Sequence, residues 1–291
     1  MFFGKNNRYP YLILLIIHST LLLYTFAKVK NKKPLVVLLL SNMGLAYLFE
    51  YLILSFLHLY RYKPNFFKKK FLDDISGAIL SQAVYVPFTA LFITAFKLKW
   101  PVKMGFAIYF ALIEKLFIKM GIFKKRGWKT RYTLVLIYLY FHVSDQWLRL
   151  LKKGNSIIQK FTLYNMVQFT GINSLVTLEM LHLLSFGRGK HHSLMEQHKM
   201  ETSYSSIMSA IKTSFAYTES VAVKIGLLSV KNIIDRALRN MKLINIKSIF
   251  PITLIDVLLL SLGPVYKKWI EDIALSDGPN TQTDQEANGS R

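Results

Sequence analysis

The chain contains no cysteine, which excludes a disulfide framework, a thiolate nucleophile and a Cys-ligated zinc or iron–sulfur centre. Acidic residues are scarce, with 16 Asp+Glu against 38 Lys+Arg and a formal net charge of +22. Phosphate-cradling and hydrolase signatures are missing too: there is no G-x-x-x-x-G-K-[ST], no G-x-G-x-x-G and no G-x-S-x-G. Gly187-Arg188-Gly189-Lys190 is a basic turn of another kind. The seven histidines are too few and too scattered for a desaturase-like set of His boxes. No internal repeat of the kind that marks many transporters is visible by eye, and no polar stretch is long enough for a large soluble domain.

Hydrophobic residues are plentiful, at 52% of the chain with 14% aromatic, more than a soluble core of this size needs. The surplus must face lipid. In a soluble protein the basic excess would suggest nucleic acid, but here the basic residues fall between apolar runs and match anionic headgroups. Lys5 and Arg8 precede the first apolar stretch as in a signal peptide. Ala27, however, runs into Lys28-Val29-Lys30 without a small-x-small cleavage site, so the stretch reads as an uncleaved first span.

Apolar runs that meet or approach the roughly 20 residues a crossing helix needs lie at 11–27, 35–60, 75–96, 104–118, 132–147 and 161–186, with a further candidate at 249–266. The expected fold is all-α: a polytopic integral membrane helical bundle of six or seven transmembrane helices plus a basic amphipathic helix. The bundle should occupy 1–186, and a polar loop with the amphipathic helix 187–248. The 276–291 tail has no large apolar residue and should be disordered. Short basic connections make consecutive helices antiparallel neighbours. Basic loops on the two sides nearly balance through residue 160. The Lys and Arg of 187–248 then tip the balance towards a cytoplasmic N-terminus in a cell membrane.

Within 187–248, Leu227, Val230, Ile234, Ala237, Leu238 and Met241 share one helical face, and Lys231, Asp235, Arg236, Arg239 and Lys242 the other. Lys231, Arg236, Arg239 and Lys242 are therefore the expected membrane-surface basic face. The same pattern also fits a helix packed on the protein's own cytoplasmic side.

The segment IEKLFIKMGIFKKRGWKTRYTLVLIYLYFHVSDQWLRLLKK joins a Glu-bearing helix to a Gly, a Gly-Trp pair and a second apolar helix ending in basic residues, through Glu114, Gly121, Gly127, Trp128 and Arg149. Upstream, Pro64-Asn65-Phe66 precede the third apolar run. Over residues 34–153 this pattern resembles uncharacterised polytopic membrane proteins of spore-forming Gram-positive (Bacillus/Clostridium-like) bacteria. The resemblance implies a membrane helical fold and carries no activity.

Ionisable groups inside spans cost about 2.5–3.5 kcal/mol each on insertion scales unless paired or hydrated, which makes Glu50, Glu114, Asp145 and Glu179 the candidate intramembrane functional residues. Glu50 should face the bundle and stay a neutral carboxyl bonded between helices, meet a basic partner or line water. Glu114 should pair locally with Lys115 or Lys119, and Asp145 with Arg149 one turn on. Asp256 stands alone in the last run. Glu179 and His182 form one Glu-x-x-His step, whereas a di-iron bundle site wants two. His191, His192, Glu196, His198 and Glu201 lack a His-Glu-x-x-His spacing. No metal, cofactor or enzymatic activity is expected. Two readings follow: a non-enzymatic scaffold that holds a membrane-protein partner, or a small proton- or ion-coupled transporter using the intramembrane carboxylates.

Overall fold

A computed structural model describes residues 8–187 and 193–276; His191, His192 and the tail beyond Ser276 lie outside it. The described residues form ten α-helices and four three-residue strands. The helices are α1 (Arg8–Lys28), α2 (Lys33–Glu50), α3 (Lys70–Ile79), α4 (Val86–Ala95), α5 (Trp100–Lys119), α6 (Thr130–Lys152), α7 (Ser156–Met180), α8 (Leu194–Tyr217), α9 (Val221–Asn240) and α10 (Ile249–Ser276). The strands are β1 (Tyr60–Tyr62), β2 (Phe123–Lys125), β3 (Leu184–Phe186) and β4 (Ile244–Ile246). Two π-helical segments make long rods of shorter pieces: Tyr51–Phe56 extends α2, and Leu80–Tyr85 joins α3 to α4. Pro87, at the start of α4, has no N–H to give the preceding turn, and the widened turn ahead of it absorbs the loss.

Four of these helices are long and apolar enough to cross a membrane: Arg8–Lys28, Lys33–Phe56, Leu72–Ala95 and Phe250–Leu275. The runs at 104–118, 132–147 and 161–186 became helices α5, α6 and α7 but are not among those four. The 187–248 stretch is more than a loop with one amphipathic helix. It holds two helices, α8 and α9, broken at Thr218–Ser220, and a strand. A capping box between Ser193 and Glu196 starts α8, and the Ser220 side chain caps α9.

The order of elements repeats along the chain, although no repeat is visible by eye in the sequence. From α2 to α6 the order is helix, strand, helical rod, helix, strand, helix, and α7 to α10 run through the same order. The two antiparallel ladders have the same register, Tyr60 opposite Lys125 and Tyr62 opposite Phe123, against Leu184 opposite Ile246 and Phe186 opposite Ile244. Their flanking bonds also correspond: the Lys63 and Gly187 amides donate to the Ile122 and Leu243 carbonyls at 2.9 and 2.7 Å. Arg126 and Lys247 donate to Leu59 and Leu183 at 2.7 and 3.0 Å. Ahead of the first strand of each repeat, Leu57-His58-Leu59 matches Leu181-His182-Leu183, and the two histidines take φ of 55° and 59°. Before the second strand, Gly121 (φ 73°) and Lys242 (φ 57°) end their helices in the left-handed region. Few identities survive beyond these turns, which is why the duplication is hidden in the sequence.

The repeats meet along α2 and α7. Ser41 and Asn165 are separated along the chain by the same interval as Tyr60 and Leu184, and the Asn165 amide donates to the Ser41 hydroxyl at 3.4 Å. Gly44 permits the approach, since a Cβ there would sit 2.3 Å from the Asn165 carbonyl oxygen. Helix α1 has no counterpart in the second repeat and packs on α4, with Tyr24 against Phe92 and Phe96. Both ladders and the start of α1 share one end of the bundle, as the Tyr11 hydroxyl bonded to the Ile122 carbonyl (3.0 Å) and Lys69 beside His182 (3.2 Å) show. The opposite end is tied by the Lys33–Asp272 ion pair at 2.7 Å.

Candidate functional site

The first repeat and α1 enclose a cavity of about 550 Å³. Its wall is aromatic and aliphatic, with Tyr11, Phe49, Phe110, Phe117, Phe123 and Trp128 prominent. The size lies inside the range of natural ligand pockets, which are mostly apolar with a few placed polar groups. Phenol hydroxyls that would otherwise spoil an apolar wall are used elsewhere. Tyr85 donates to the Tyr11 carbonyl at 2.7 Å, Tyr11 to Ile122, and Tyr140 to the Asn42 carbonyl at 2.8 Å. Burial pushes the Tyr62 phenol well above its ordinary range, so it stays neutral. The rim contains Leu136, Leu139 and Val143 of α6, which are exposed on the outside of the bundle.

Two carboxylates flank this space. Glu114 lines it and accepts hydrogen bonds from Thr130 (2.6 Å), the Trp128 indole (3.2 Å) and Thr133. The local pairing expected with Lys115 or Lys119 is replaced by this neutral cradle, because the turn after Gly127 carries the Trp and Thr donors back to the Glu114 face. Glu50 sits behind the wall, 4% exposed. Its Oε2 accepts from the Tyr60 hydroxyl at 2.5 Å and the Gln82 amide at 3.0 Å, and both donors line the cavity. The two π-helical segments flank Glu50 and contain Gln82, as such insertions often do at functional positions.

The other two candidates lie apart from the cavity. Asp145 pairs with Lys103 and with the Thr94 hydroxyl (2.7 Å), not with Arg149. The partner comes from α5, which packs along α6 and brings a buried ammonium closer than a residue on the same helix. Glu179 lies on the second-repeat side and has a buried oxygen without a partner. Its nominal step partner His182 faces Lys69 instead. Of the four carboxylates, then, Glu114 lines the cavity and Glu50 stands behind its wall, whereas Asp145 and Glu179 lie apart from it.

In the second repeat the corresponding interior is ionic. Asp256 bridges Lys212 (2.8 Å) and Lys231 (2.7 Å), Lys231 also pairs with Asp235 at 2.6 Å, and the Tyr204 hydroxyl donates to Asp235 at 2.9 Å. Lys231 is thus buried and does not belong to a membrane-surface face. Two aspartates draw it inward, while Val230 and Met241 of the supposed inner face are exposed. Arg236, Arg239 and Lys242 remain exposed as a basic group. Sequence spacing could not find the network, because Lys212, Lys231 and Asp256 stand on three different helices.

Among the described residues no three His, Asp or Glu side chains stand close enough to hold a metal ion. Comparison with protein-family models, with curated proteins and with solved structures gives no match.

Proposed function

We propose that the chain is a multi-pass membrane protein that takes a lipid-like molecule from the bilayer into the cavity of its first repeat. The observation that carries this is the 550 Å³ space itself, aromatic-walled and rimmed by exposed Leu136, Leu139 and Val143. An apolar chain fits such walls, and one small polar end would meet the Ser81–Gln82 and Tyr62 edge. No activated nucleophile faces the cavity among the described residues, which supports a binding or carrying role. The apolar wall supports it over an aqueous ion path.

The repeat supports a fuller topology than apolar length alone. Each β-ladder needs its second strand to return to the side where the first began, so α5 must retrace the rod 70–95 and α9 must retrace α8. An interior helix such as α7, covered by α2 and α10, needs no apolar surface of its own to span. With α1, nine crossings result, and both ladders lie on the side of the N-terminus. That side carries Lys68, Lys69, Lys70, Lys124, Lys125, Arg126, Arg236, Arg239 and Lys242. Such a density favours the cytoplasmic face and its anionic headgroups. The exposed Arg236, Arg239 and Lys242 also keep open a scaffold role on that face.

The test is extraction and mass spectrometry of lipid retained by detergent-purified protein, comparing wild type with Leu136→Trp and Ala46→Phe. Retention of a stoichiometric lipid by wild type, reduced at least tenfold in both variants, is expected. Equal retention by all three would remove the cavity as its site.

A further inference from the structure

The chain carries 38 Lys+Arg, yet among the described residues no Lys, Arg or His lines the cavity of the first repeat, and its one charged lining residue is Glu114. The basic residues nearest in sequence are exposed or used elsewhere. Lys115, Lys119 and Lys129 are exposed, and Arg61 is paired with Asp74 at 3.0 Å. Neither Glu114 nor Glu50 forms an ion pair among the described residues, and every bond they accept there comes from a neutral donor. A buried carboxylate left in that state is costly until a counter-charge or a proton arrives.

Two of those neutral donors are aromatic, and they stand together. Tyr60 gives its hydroxyl hydrogen to Glu50 at 2.5 Å and Trp128 its indole N–H to Glu114 at 3.2 Å, while their rings meet edge to face with centroids 5.2 Å apart. Phe49 packs on Trp128 at 6.2 Å and Phe123 on Tyr60 at 5.0 Å. All four rings line the cavity. The face of an aromatic ring is the negative part of its quadrupole, and a ring whose polar hydrogen is bonded to a carboxylate is polarised to become more negative still. The two carboxylates add their own field, little screened in a space walled by apolar groups. They need not touch a ligand to act on it.

We infer, resting on the reading that this cavity takes an amphiphile, that its ligand carries a net positive head, an ammonium or quaternary ammonium, seated against Tyr60 and Trp128 with Glu50 and Glu114 as counter-charge. Attraction of a cation to a ring is best on Trp and grows when the pair is desolvated. A phosphate beside that cation would meet no basic side chain in the wall, so a net cation fits and a phosphate-bearing zwitterion does not. The apolar chain extends along α6, away from Trp128 and towards Leu136, Leu139 and Val143.

The test uses protein purified in an uncharged maltoside detergent and mixed with amphiphiles of one alkyl length whose heads are trimethylammonium, phosphocholine or an uncharged diol. Native mass spectrometry counts the bound molecules. Wild type should hold one trimethylammonium amphiphile at least tenfold more tightly than either of the others. Glu114→Gln should lose most of that preference while still taking the uncharged amphiphile, as should Trp128→Leu, and Leu136→Trp should reduce binding of all three. Equal binding of the three heads by wild type would overturn the cationic head and leave the cavity reading standing, and it requires no variant to fold. A preference undiminished in both Glu114→Gln and Trp128→Leu would also overturn it. Failure of wild type to bind any of the three, or a Leu136→Trp variant that binds them all as wild type does, would overturn the cavity reading and the cationic head together.

Discussion

The two repeats share connectivity, ladder register and the left-handed residues that end their helices, yet one encloses an apolar cavity and the other a row of ion pairs. Glu114 and Asp235 hold corresponding places, each the same distance ahead of the second strand of its repeat. Around Glu114 stand neutral donors and aromatic rings; at Asp235, Lys231 occupies the position that Phe110 fills in the first repeat. A duplicated frame thus leaves the backbone unchanged while interior chemistry diverges. Four charged residues on α8, α9 and α10 are enough to fill with ions what aromatic rings leave open.

Removing Asp256 breaks the comparison most severely. Asp256→Ala strands Lys212 in a buried setting and leaves Lys231 with Asp235 alone, and losing one side of a buried ion network costs about 3–5 kcal/mol. Thermal unfolding in detergent should show an early transition, largely restored when Lys212 is also replaced by Met. An unchanged transition would mean the network carries no stability.

The seam between the repeats comes next. Gly44→Ala drives a Cβ into the Asn165 carbonyl and should cost about 1–3 kcal/mol as overpacking. Gly105→Ala, on α5 with nothing within 4 Å, should instead stabilise by up to about 1 kcal/mol through helix propensity. The same thermal scans read both; equal effects would contradict the close α2–α7 approach.

At Glu114, replacement by Gln turns one acceptor towards three donors and should cost about 1–3 kcal/mol, with lipid retention reduced. Asp235→Asn, at the matching position beside Lys231, should unfold earlier than Glu114→Gln. The reverse order in a melting comparison would show that the ionic interior is the more tolerant one. The smallest effect belongs to Lys33→Ala, which removes the half-exposed pair with Asp272 and should lower stability by less than about 1 kcal/mol.

Much of the helical frame was legible because apolar runs bounded by basic clusters announce helices by length alone. Tyr11 to Ala27 and Leu35 to Tyr60 fall within a few residues of α1 and of α2 with its extension. The second half was harder. Helices α8 and α9 carry Glu201, Lys212, Lys231 and Asp235 on interior faces, so their periodicity points the wrong way once ion pairs replace apolar contacts. The repeat was hidden because it is kept by φ angles and ladder register, features that His58 and Lys242 satisfy as well as glycine does. Glu50 could be singled out as the lone charge of its run, but its donors could not, since Gln82 lies on a different helical rod. Asp145 and Glu114 were assigned neighbours from their own helices, where the fold supplies Lys103, Thr130 and Trp128 from across a turn or an adjoining helix.

The central claim is that the cavity of the first repeat admits lipid. It is tested most directly by quenching of Trp128 by brominated lipid, in a variant with Trp100, Trp147 and Trp269 replaced by Phe. Trp128 lines the cavity and is itself buried at 7% exposure. The account predicts strong quenching of this buried indole, relieved by adding Leu136→Trp when only the Trp128 component is followed by its lifetime. Unquenched Trp128 emission in a lipid bilayer would contradict it.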